Sequence, residues 1–336
     1  MKKKILVTGG TGYIGSHTTV QLIEAGYEVA IIDNLSNSKK SVLEKIEKLS
    51  GEKLAFFKAD LRNLEELEEA FKTSSFDAVI HFAGAKAVGE SVKDPLKYYE
   101  NNVSGTINLL KLMKAYKVSE LIFSSSATVY GDQGTPELNE EMTTGNAMTN
   151  PYGETKHIIE EMLIDLSESD PTFKVAILRY FNPIGAHSSG LLGEDPNGIP
   201  NNLMPVIMRV STGKIEALEI YGDDYPTVDG TGVRDYIHVE DLASGHIAVI
   251  DGLKPGVTIY NLGTGKGTSV KEMIKTFEEL SGKPLNHKIS PRRSGDLPAV
   301  YANAEKIYKD LNWKTEKTIK TAIADTINFL KNENRG

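Results

Sequence analysis

A tyrosine and a lysine four residues apart, Tyr152 and Lys156, form the pair in this sequence best suited to acid–base chemistry. Side chains four residues apart share one face of a helix, so the ammonium of Lys156 would lie beside the phenol of Tyr152. The ordinary pKa of tyrosine is about 10, and a neighbouring positive charge lowers it. A lowering of roughly 3 units, which corresponds to about 4 kcal/mol, would make Tyr152 a base near neutral pH.

Ser126 is the candidate hydrogen-bond partner for the hydroxyl group that Tyr152 would deprotonate. It is the last of three serines that follow an apolar run at residues 120–123, and that run predicts a strand. The helix predicted to carry the tyrosine runs from Pro151 to about Ser167. Tyrosine and lysine also meet at this spacing by chance on many helices. The interpretation therefore depends on the elements that would position these side chains.

The first of those elements is a strand, a glycine-rich turn and a helix over residues 4–26. An apolar run is followed by glycines with the spacing G-x-x-G-x-x-G, and Gly26 closes the helix. Such a turn lets the backbone approach a pyrophosphate, while the helix N-terminus directs its free N–H groups toward it. A tight turn with no ligand has the same glycine pattern, so the turn alone leaves both interpretations open.

The second strand, at residues 28–32, ends at Asp33. An acidic residue at this position accepts hydrogen bonds from the adenosine ribose hydroxyls, and its charge repels a 2′-phosphate. The order of strand, turn, helix, strand and acid therefore predicts a dinucleotide site that favours NAD over NADP.

Strands and helices alternate through the first half of the chain, with further strands predicted at residues 54–58, 77–81 and 120–123. Buried apolar strands separated by helices are typical of a parallel sheet covered on both faces. Ligands of such sheets bind beyond the carboxyl ends of the strands. Candidates at that edge are Asp33, Asp60, Ala83, Gly84 and Ser124 to Ser126. We predict an α/β fold with a doubly wound parallel sheet of Rossmann type.

The alternation loosens after about residue 182, where glycines and prolines mark a long irregular segment before a helix near residues 202–212. Short strands and helices follow. We predict two domains, one over residues 1–182 and a smaller mixed α/β domain over residues 183–336. A segment near residues 234–250 could return to the first domain.

The composition of the 336 residues argues against several classes of function. A formal net charge of -8 gives no basic surplus for a nucleic-acid partner. The lack of cysteine rules out a disulfide framework and suits the cytoplasm. Neither the lysine-rich start nor a later segment has the apolar length of a signal sequence or a membrane span, so no membrane contact is expected. The histidines lack the spacing of metal ligands, and no metal is expected.

Several longer motifs add to this pattern. They are the Ser-Ser-Ser-Ala-Thr-Val-Tyr-Gly stretch at residues 124–131 and the segments at residues 81–84, 179–186, 199–205 and 229–236. With the glycine turn and the Tyr-x-x-x-Lys pair, they resemble the extended short-chain dehydrogenase/reductase superfamily and, within it, the UDP-glucose 4-epimerase family. The resemblance covers essentially the whole chain.

This resemblance implies an enzyme that uses NAD to interconvert UDP-glucose and UDP-galactose through a 4-keto intermediate. Tyr152 would take the proton from the sugar 4-hydroxyl as C4 gives hydride to NAD. Lys156 would bind the nicotinamide ribose, and Ser126 would support the proton transfer. The first domain would bind NAD and the second domain the UDP-hexose.

The resemblance also implies the cofactor contacts, position by position. They lie in the glycine turn and at the ends of the strands that follow it. The residues are Gly9, Gly12, Tyr13, Ile14, Gly15, Asp33, Asn34, Asp60, Leu61, Phe82, Ala83, Gly84, Lys86, Asn101, Ser124, Tyr152, Lys156 and Phe181.

The implied substrate contacts include two arginines for the pyrophosphate. A guanidinium suits phosphate because its fork donates two hydrogen bonds at once, although a solvated surface charge is the commoner role of an arginine. The residues are Ser126, Tyr152, Asn182, Asn201, Asn202, Leu203, Tyr221, Arg234, Arg293, Asp296 and Val300.

Val300 bears on which sugars fit. The resemblance places it beside the hexose 2-position, where a tyrosine would fill the space that an acetamido group needs. Valine leaves that space, which predicts activity on UDP-N-acetylglucosamine and UDP-N-acetylgalactosamine as well. Two other interpretations stay open: Val300 is an ordinary core residue of a strand, or a slip of one residue places Tyr301 at the gate.

Other functions fit the same fold. A nucleotide-sugar 4,6-dehydratase or C4-reductase is the nearest, but such dehydratases carry an Asp-Glu pair where this chain has Ala127-Thr128. A non-catalytic NAD-binding regulator would be expected to lack Tyr152 or Lys156. The resemblance further implies a homodimer, formed through helices near residues 95–116 and 151–167.

Overall fold

The computed structural model describes residues 2–198, 200, 202–293 and 295–333. The strands are β1 (Lys4–Thr8), β2 (Glu28–Ile32), β3 (Ala55–Phe57), β4 (Ala78–His81), β5 (Glu120–Ser126), β6 (Glu137–Leu138), β7 (Lys174–Tyr180), β8 (Asn182–Ile184), β9 (Leu218–Tyr221), β10 (Val233–His238), β11 (Gly256–Leu262), β12 (Gly267–Ser269), β13 (His287–Ser290) and β14 (Ala299–Ala302). The helices are α1 (Tyr13–Glu24), α2 (Ser41–Ser50), α3 (Leu64–Thr73), α4 (Val88–Lys93), α5 (Pro95–Tyr98), α6 (Gly105–Ala115), α7 (Pro151–Ser169), α8 (Leu203–Ser211), α9 (Val239–Gly252), α10 (Val270–Ser281), α11 (Glu305–Leu311) and α12 (Ile319–Glu333).

The larger sheet has seven strands in the order β11-β7-β5-β4-β1-β2-β3. β1 pairs in parallel with β2 and β4, and these pair in parallel with β3 and β5. The strand order therefore grows outward from β1 in both directions, as it does in a doubly wound fold. The predicted Rossmann-type fold class is confirmed.

Helices cover both faces of this sheet. Residues of one face, such as Leu6 and Val79, share a buried core with side chains of α3, α6 and α7. Neighbouring residues in each strand point to the opposite face, and there α1 packs on β1 and β2. Strands buried on both faces are apolar along their whole length, which explains the continuous apolar runs in the sequence.

The chain folds into two compact units, each assembled from separate stretches. The first unit contains the chain up to Gly131, Thr143–Arg179 and Ala243–Tyr260. The second unit contains Asp132–Met142, Tyr180–Leu242 and the chain from Asn261 onward. The sequence predicts a boundary at residue 182, with a segment near residues 234–250 that could return to the first domain. The stretch that returns is Ala243–Tyr260, and β11, which begins within it, joins the seven-stranded sheet. Long-range strand pairing of this kind leaves no local sequence pattern.

The second unit is built on a smaller sheet. Its strand order is β12-β10-β14-β6, and β8 also pairs with β10. β10 is parallel to β14 and β8 and antiparallel to β12, while β9 and β13 form a separate parallel pair. The core of this unit includes Ile207 of α8, Phe277 of α10 and Ile323 of α12.

Two local features differ from the sequence prediction. The helix expected over residues 95–116 is interrupted by a π-helical segment, Tyr99–Ser104, which joins α5 to α6. Ser124 to Ser126, expected just beyond a strand, form the last three residues of β5, and a 3₁₀ turn, Ala127–Tyr130, follows them. None of the helices in the described part of the chain has the length and apolar character needed to cross a membrane.

A buried histidine of β4, His81, joins β1 to the start of α6. Thr106 donates its hydroxyl proton to the carbonyl oxygen of Asn102 at 2.6 Å. Its oxygen therefore accepts from Nε2 of His81 at 2.9 Å, which leaves Nδ1 to accept from Thr8 Oγ1 at 2.7 Å. Thr8 Oγ1 accepts in turn from the N–H of Ala83 at 3.3 Å. Burial lowers the pKa of His81 to about 3, so the ring is neutral and holds one tautomer.

Candidate functional site

The glycine turn after β1 is as tight as the sequence predicts. Gly9 has a φ of +70°, and the N–H of Gly12 donates to its carbonyl oxygen at 3.0 Å. A Cβ on Gly15 would overlap that same oxygen, and a Cβ on Gly9 would lie 2.8 Å from the backbone nitrogen of Ala83. These positions exclude side chains, so β1, β4 and α1 approach one another closely here.

The N-terminus of α1 is suited to a phosphate group. The helix begins at Tyr13 after Gly12, no side chain caps its first turn, and no acidic residue lies in that turn. The N–H groups of Tyr13, Ile14 and Gly15 therefore lie at a helix end with partial positive charge, which favours an anion.

Asp33 follows β2 and is held in place by its surroundings. Its carboxylate accepts hydrogen bonds from Thr11 N at 3.1 Å, Leu35 N at 2.8 Å and Ser38 Oγ at 3.1 Å. The side chain is nearly buried beside the glycine turn. Two carboxylate oxygens have about four acceptor positions between them, so capacity remains for a ligand hydroxyl.

Asn34, Asp60 and Leu61 line the next part of the same edge. Asn34 donates to Asp60 at 2.9 Å, and Arg62 donates to both oxygens of that carboxylate at 2.9 Å. The hydrogen bonds from Arg62 hold the pKa of Asp60 well below its usual range. Leu61 is buried and packs against Gly105, where a Cβ would lie 3.1 Å away.

The loop after β4 is fixed by a residue that the sequence analysis missed. Asn102, buried in the π-helical segment, accepts from Ala85 N at 2.7 Å and donates to Ala85 O at 3.0 Å. It also donates to Thr155 of α7 at 3.0 Å and accepts from Asn101 at 3.0 Å. One amide thus positions the loop and the tyrosine-bearing helix together. The only signal in the sequence is a polar residue inside an apolar helix pattern.

Other predicted cofactor residues lie around that loop. The Phe82 ring centroid is 4.9 Å from that of His246, and Lys86 Nζ is 6.0 Å from the Tyr13 ring centroid. A Cβ on Gly84 would lie 3.3 Å from Asn102 Oδ1 and 3.9 Å from Lys156 Nζ. The first unit therefore brings its predicted cofactor residues to one edge of the sheet.

Ser126 and Tyr152 form the expected pair at the end of β5. Ser126 Oγ accepts from the N–H of Thr128 at 3.2 Å and is hydrogen-bonded to the phenol of Tyr152. Thr128 donates hydrogen bonds to Ser126 Oγ from its N–H and its hydroxyl. The hydroxyl proton of Ser126 is therefore available for a hydrogen bond to the tyrosine oxygen. A donor at that oxygen favours the phenolate.

Lys156 lies on the same face of α7 but does not bond to the phenol. Its Nζ donates to the carbonyl oxygen of Ser124 at 2.6 Å and lies 6.0 Å from the Tyr152 ring centroid. Burial lowers the pKa of Lys156 to about 8, against the influence of the Glu160 carboxylate, which raises it. The lysine can therefore be protonated at neutral pH.

Burial also changes the expectation for Tyr152. The spacing on the helix predicts that the lysine charge lowers the pKa of Tyr152. Within the chain itself, burial raises that pKa, and the hydrogen bond from Ser126 opposes it only in part. The spacing of residues in the sequence predicts which side chains neighbour the phenol, but it does not predict that the phenol is buried. Loss of contact with water disfavours the charged form.

The second unit holds its two predicted arginines through one carboxylate. Arg293 Nε donates to Asp296 Oδ2 at 2.7 Å, and Arg234 Nη2 lies 3.9 Å from Asp296 Oδ1. The Arg293 guanidinium lies 4.7 Å from the ring centroid of Tyr221, which is partly exposed at the end of β9. The four side chains form a cluster with the composition of a site for a diphosphate and a planar ring.

Other predicted substrate residues are placed separately within the second unit. Asn202 precedes α8 and donates to the buried Glu194 at 3.0 Å, and Leu203 is the first residue of that helix. Asn182 is exposed in β8, and Phe181 before it is buried. Asn201 lies outside the described residues.

Val300 lies in β14 directly beside Arg234 of β10 in the parallel pairing. Side chains of adjacent residues in paired strands point to the same face, and the next residue points to the other. The Tyr301 ring accordingly lies toward Gly267 of β12, 3.5 Å from the position of a Cβ there. Val300, not Tyr301, shares a face with Arg234.

Among the described residues of the second unit, one group has the composition of a metal site, namely His238, Glu240 and Asp325. Both ring nitrogens of His238 are already bonded, Nδ1 to the N–H of Glu240 at 3.0 Å and Nε2 to Asp325 at 3.1 Å. Lys317 pairs with Glu240 at 2.7 Å. We interpret the group as a buried link that attaches α12 to β10.

Residues 5–263 match the model of the NAD dependent epimerase/dehydratase family. The UDP-glucose 4-epimerase of Yersinia pestis is 53% identical over 334 residues, which are 99% of this chain and 98% of that protein. Among solved structures, the UDP-glucose 4-epimerase of Bifidobacterium longum in complex with NAD+ and UDP has a TM-score of 0.96 at 49% identity and covers 99% of this chain and 100% of its own. The UDP-Glc/GlcNAc 4-epimerase of Campylobacter jejuni has a TM-score of 0.85 at 38% identity and covers 98% of this chain and 99% of its own.

The tight approach at Gly15 makes a testable prediction. We expect Gly15→Ala to purify with little or no bound NAD, because the added methyl group would push α1 away from the Gly9 carbonyl oxygen. Gly89→Ala is the matched control, since nothing lies within 4 Å of a Cβ there. NAD released by denaturing each purified protein is measured by absorbance or mass spectrometry. Equal NAD content in Gly15→Ala and the parent would contradict the assignment.

Proposed function

The chain belongs to the NAD dependent epimerase/dehydratase family, and we propose that it interconverts UDP-glucose and UDP-galactose by NAD-dependent inversion at C4 of the hexose. The observation that carries this proposal is the joint placement of Ser126, Tyr152 and Lys156 at the end of β5. An acid–base group of this kind is required for proton transfer at the sugar hydroxyl that is oxidised.

The first unit fits NAD. The side-chain-free turn at Gly9 and Gly15 and the uncapped start of α1 suit a pyrophosphate. Asp33 suits the adenosine ribose, and its charge disfavours the 2′-phosphate of NADP. When bound, NAD accepts hydride from C4 of the sugar and returns it to the resulting 4-keto sugar. The further cofactor contacts that we propose are Asn34, Asp60, Leu61, Phe82, Ala83, Gly84, Lys86, Asn101, Ser124 and Phe181.

Tyr152 acts as the base that removes the proton from the 4-hydroxyl, and later as the acid that returns it. Burial raises the pKa of Tyr152, and a nearby positive charge acts against that shift. Protonated Lys156 supplies that charge from the next turn of α7. Ser126 donates a hydrogen bond to the same oxygen and thereby limits the charge that Tyr152 must carry.

The second unit supplies the nucleotide anchor in this proposal. Arg234 and Arg293 bind the diphosphate, and Asp296 holds both guanidinium groups ready. Tyr221 lies against the uracil ring, with Arg293 over the tyrosine. The remaining substrate contacts that we propose are Asn182, Asn201, Asn202 and Leu203. A firmly held diphosphate lets the loosely held 4-keto hexose turn over, so hydride returns to either face.

The base assignment is tested by Tyr152→Phe. We expect the turnover of UDP-galactose to UDP-glucose to fall by about 10²–10⁴-fold, because the variant keeps the ring but has no proton acceptor. NAD content should be unchanged. Tyr116→Phe, which removes a hydroxyl that bonds to Glu68 on the surface, is the control and should keep full activity. A loss of less than about tenfold in Tyr152→Phe would assign the base to another group.

We also propose that the enzyme accepts UDP-N-acetylhexosamines. Val300 shares a face with Arg234 of the diphosphate anchor, and its side chain is small enough to leave room for an acetamido group. The relative from Campylobacter jejuni is a UDP-Glc/GlcNAc 4-epimerase and supports this extension by analogy.

Val300→Tyr tests this specificity. We expect turnover of UDP-N-acetylgalactosamine to fall by about 10–200-fold while turnover of UDP-galactose is retained, because the aromatic ring fills the space beside the sugar. Val300→Thr has nearly the same shape and should keep both activities. Parent enzyme that is inert toward the acetamido sugar would overturn the proposal.

We propose a homodimer that forms through the helices after β4. Val88, Val92 and Leu96 recur every four residues and are 42%, 60% and 77% exposed, and Ile107 of α6 is 36% exposed. α4 and α5 pack on α7, so this apolar surface adjoins a second long helix. Exposed apolar side chains that cluster in this way are typical of an interface. We further propose a cytoplasmic location, with which a cysteine-free chain is compatible.

Leu96→Glu is expected to convert the dimer to a monomer, because the interface would have to bury an unpaired charge. Leu64→Glu, at a leucine that is 41% exposed on α3, is the control and should leave the dimer intact. Light scattering coupled to size-exclusion chromatography measures the mass of each. A parent protein that is monomeric at micromolar concentration would refute the interface.

A further inference from the structure

Three consecutive serines of β5 each contact a different residue on one stripe of α7. Ser126 bonds to Tyr152, the carbonyl oxygen of Ser124 accepts from Lys156, and the hydroxyl of Ser125 donates to Glu160. The three partners on α7 are four residues apart and therefore share one face of the helix. Two of them carry the proposed chemistry. The third, Glu160, has no role in that chemistry.

Glu160 belongs to a buried ion pair. Its Oε1 accepts from Ser125 Oγ and from Arg179 Nε at 3.1 Å, and its Oε2 accepts from Arg179 Nη2 at 2.7 Å. The side chains are 1% and 4% exposed. The Arg179 guanidinium also lies 4.7 Å from the ring centroid of Tyr130, in the turn that follows β5. One carboxylate therefore ties α7 to both β5 and β7.

Stability alone does not account for this pair. Removing two charges from water is costly, and well-packed apolar side chains of the same volume often stabilise a core as well or better. Apolar side chains, however, would not fix the orientation of the helix, because their contacts are not directional. The bidentate contact with Arg179 and the hydroxyl contact with Ser125 fix both the register of α7 along β5 and its rotation.

We propose that Glu160, held by Arg179, is a positioning residue for the epimerase reaction, which sets the register of Tyr152 and Lys156 against β5 and places a carboxylate one helical turn from the Lys156 ammonium. This inference rests on the proposed function. It extends the acid–base group by one helical turn, to a residue that touches neither sugar nor cofactor.

The charges around Lys156 make the second part of the proposal specific. On α7 itself, Tyr152 and Glu160 flank it by one turn on either side, and Glu160 favours its protonated form. From β4, His81 is kept neutral by burial. Arg179 of β7 is paired with Glu160. Tyr98 of α5, which is near Tyr152, stays protonated because burial raises its pKa.

The charge effect is tested with Glu160→Gln in the NAD-loaded enzyme. The reaction requires protonated Lys156, and loss of the Glu160 charge lets the lysine lose its proton at lower pH. We expect the alkaline limb of the kcat–pH profile to move by about one unit to lower pH, with KM little changed. The ¹³C shift of the Lys156 Cε, followed against pH, should report the same movement without reference to activity.

Two companion variants separate positioning from charge. Ser125→Ala removes the hydroxyl contact but no charge, so kcat should fall several-fold with the alkaline limb unmoved. Glu161→Gln removes an exposed carboxylate from the adjacent position on α7 and should match the parent in every measurement.

A parent-like alkaline limb and parent-like Cε titration in Glu160→Gln would overturn the charge effect. Parent-like kcat in Ser125→Ala would overturn the positioning effect, and this variant tests the inference even if Glu160→Gln fails to fold. Absence of epimerase activity in the parent would instead refute the proposed function, so the two failures are distinguishable.

Discussion

The carbonyl oxygen of Gly9 occupies the place where a side chain on residue 15 would have to be, and the cofactor edge of the first unit depends on that contact. It brings the start of α1 down onto the end of β1. The same turn places Thr11 N within 3.1 Å of Asp33, and so fixes the acid that discriminates between the two dinucleotides. From β1 the constraint passes through Thr8 and His81 to Asn102, and from there to α7. The acid–base residues are therefore positioned through the same hydrogen-bonded chain that shapes the cofactor edge.

Burial shifts the pKa values of the two reactive side chains, Tyr152 and Lys156, in opposite directions. It raises the pKa of Tyr152 and lowers that of Lys156, because both groups lose water as charged species. Taken one at a time, neither shift produces a phenolate near neutral pH. Taken together, they favour the neutral phenol and the neutral amine, and they are opposed by the attraction within a phenolate–ammonium pair. The hydrogen bond from Ser126 and the carboxylate of Glu160 each favour one member of that pair.

The sequence predicted the fold class and the strand-end residues well, because both follow from local patterns. Strand, turn, helix and acid read directly from Lys4 to Asp33, and the spacing of Tyr152 and Lys156 requires only helix geometry. Burial and long-range pairing were harder to predict, because they do not follow from local patterns. The raised pKa of Tyr152 comes from the packing around it, the bonds of Asn102 depend on one extra residue in a π-helical turn, and the ion pair of Glu160 joins it to a strand 19 positions later in the chain. His238 likewise meets Asp325 only because α12 returns to β10.

The position of β11 in the seven-stranded sheet has a consequence for synthesis of the chain. β11 forms one edge of that sheet, yet it follows its neighbour β7 by the whole stretch from residue 181 to residue 255. At typical rates of about 5–20 residues per second, a nascent chain would expose the hydrogen-bonding edge of β7 for several seconds before β11 leaves the ribosome. An open edge strand is a template for pairing with another chain. The nascent polypeptide is therefore exposed to pairing with other chains at this edge during the interval between the emergence of the two strands.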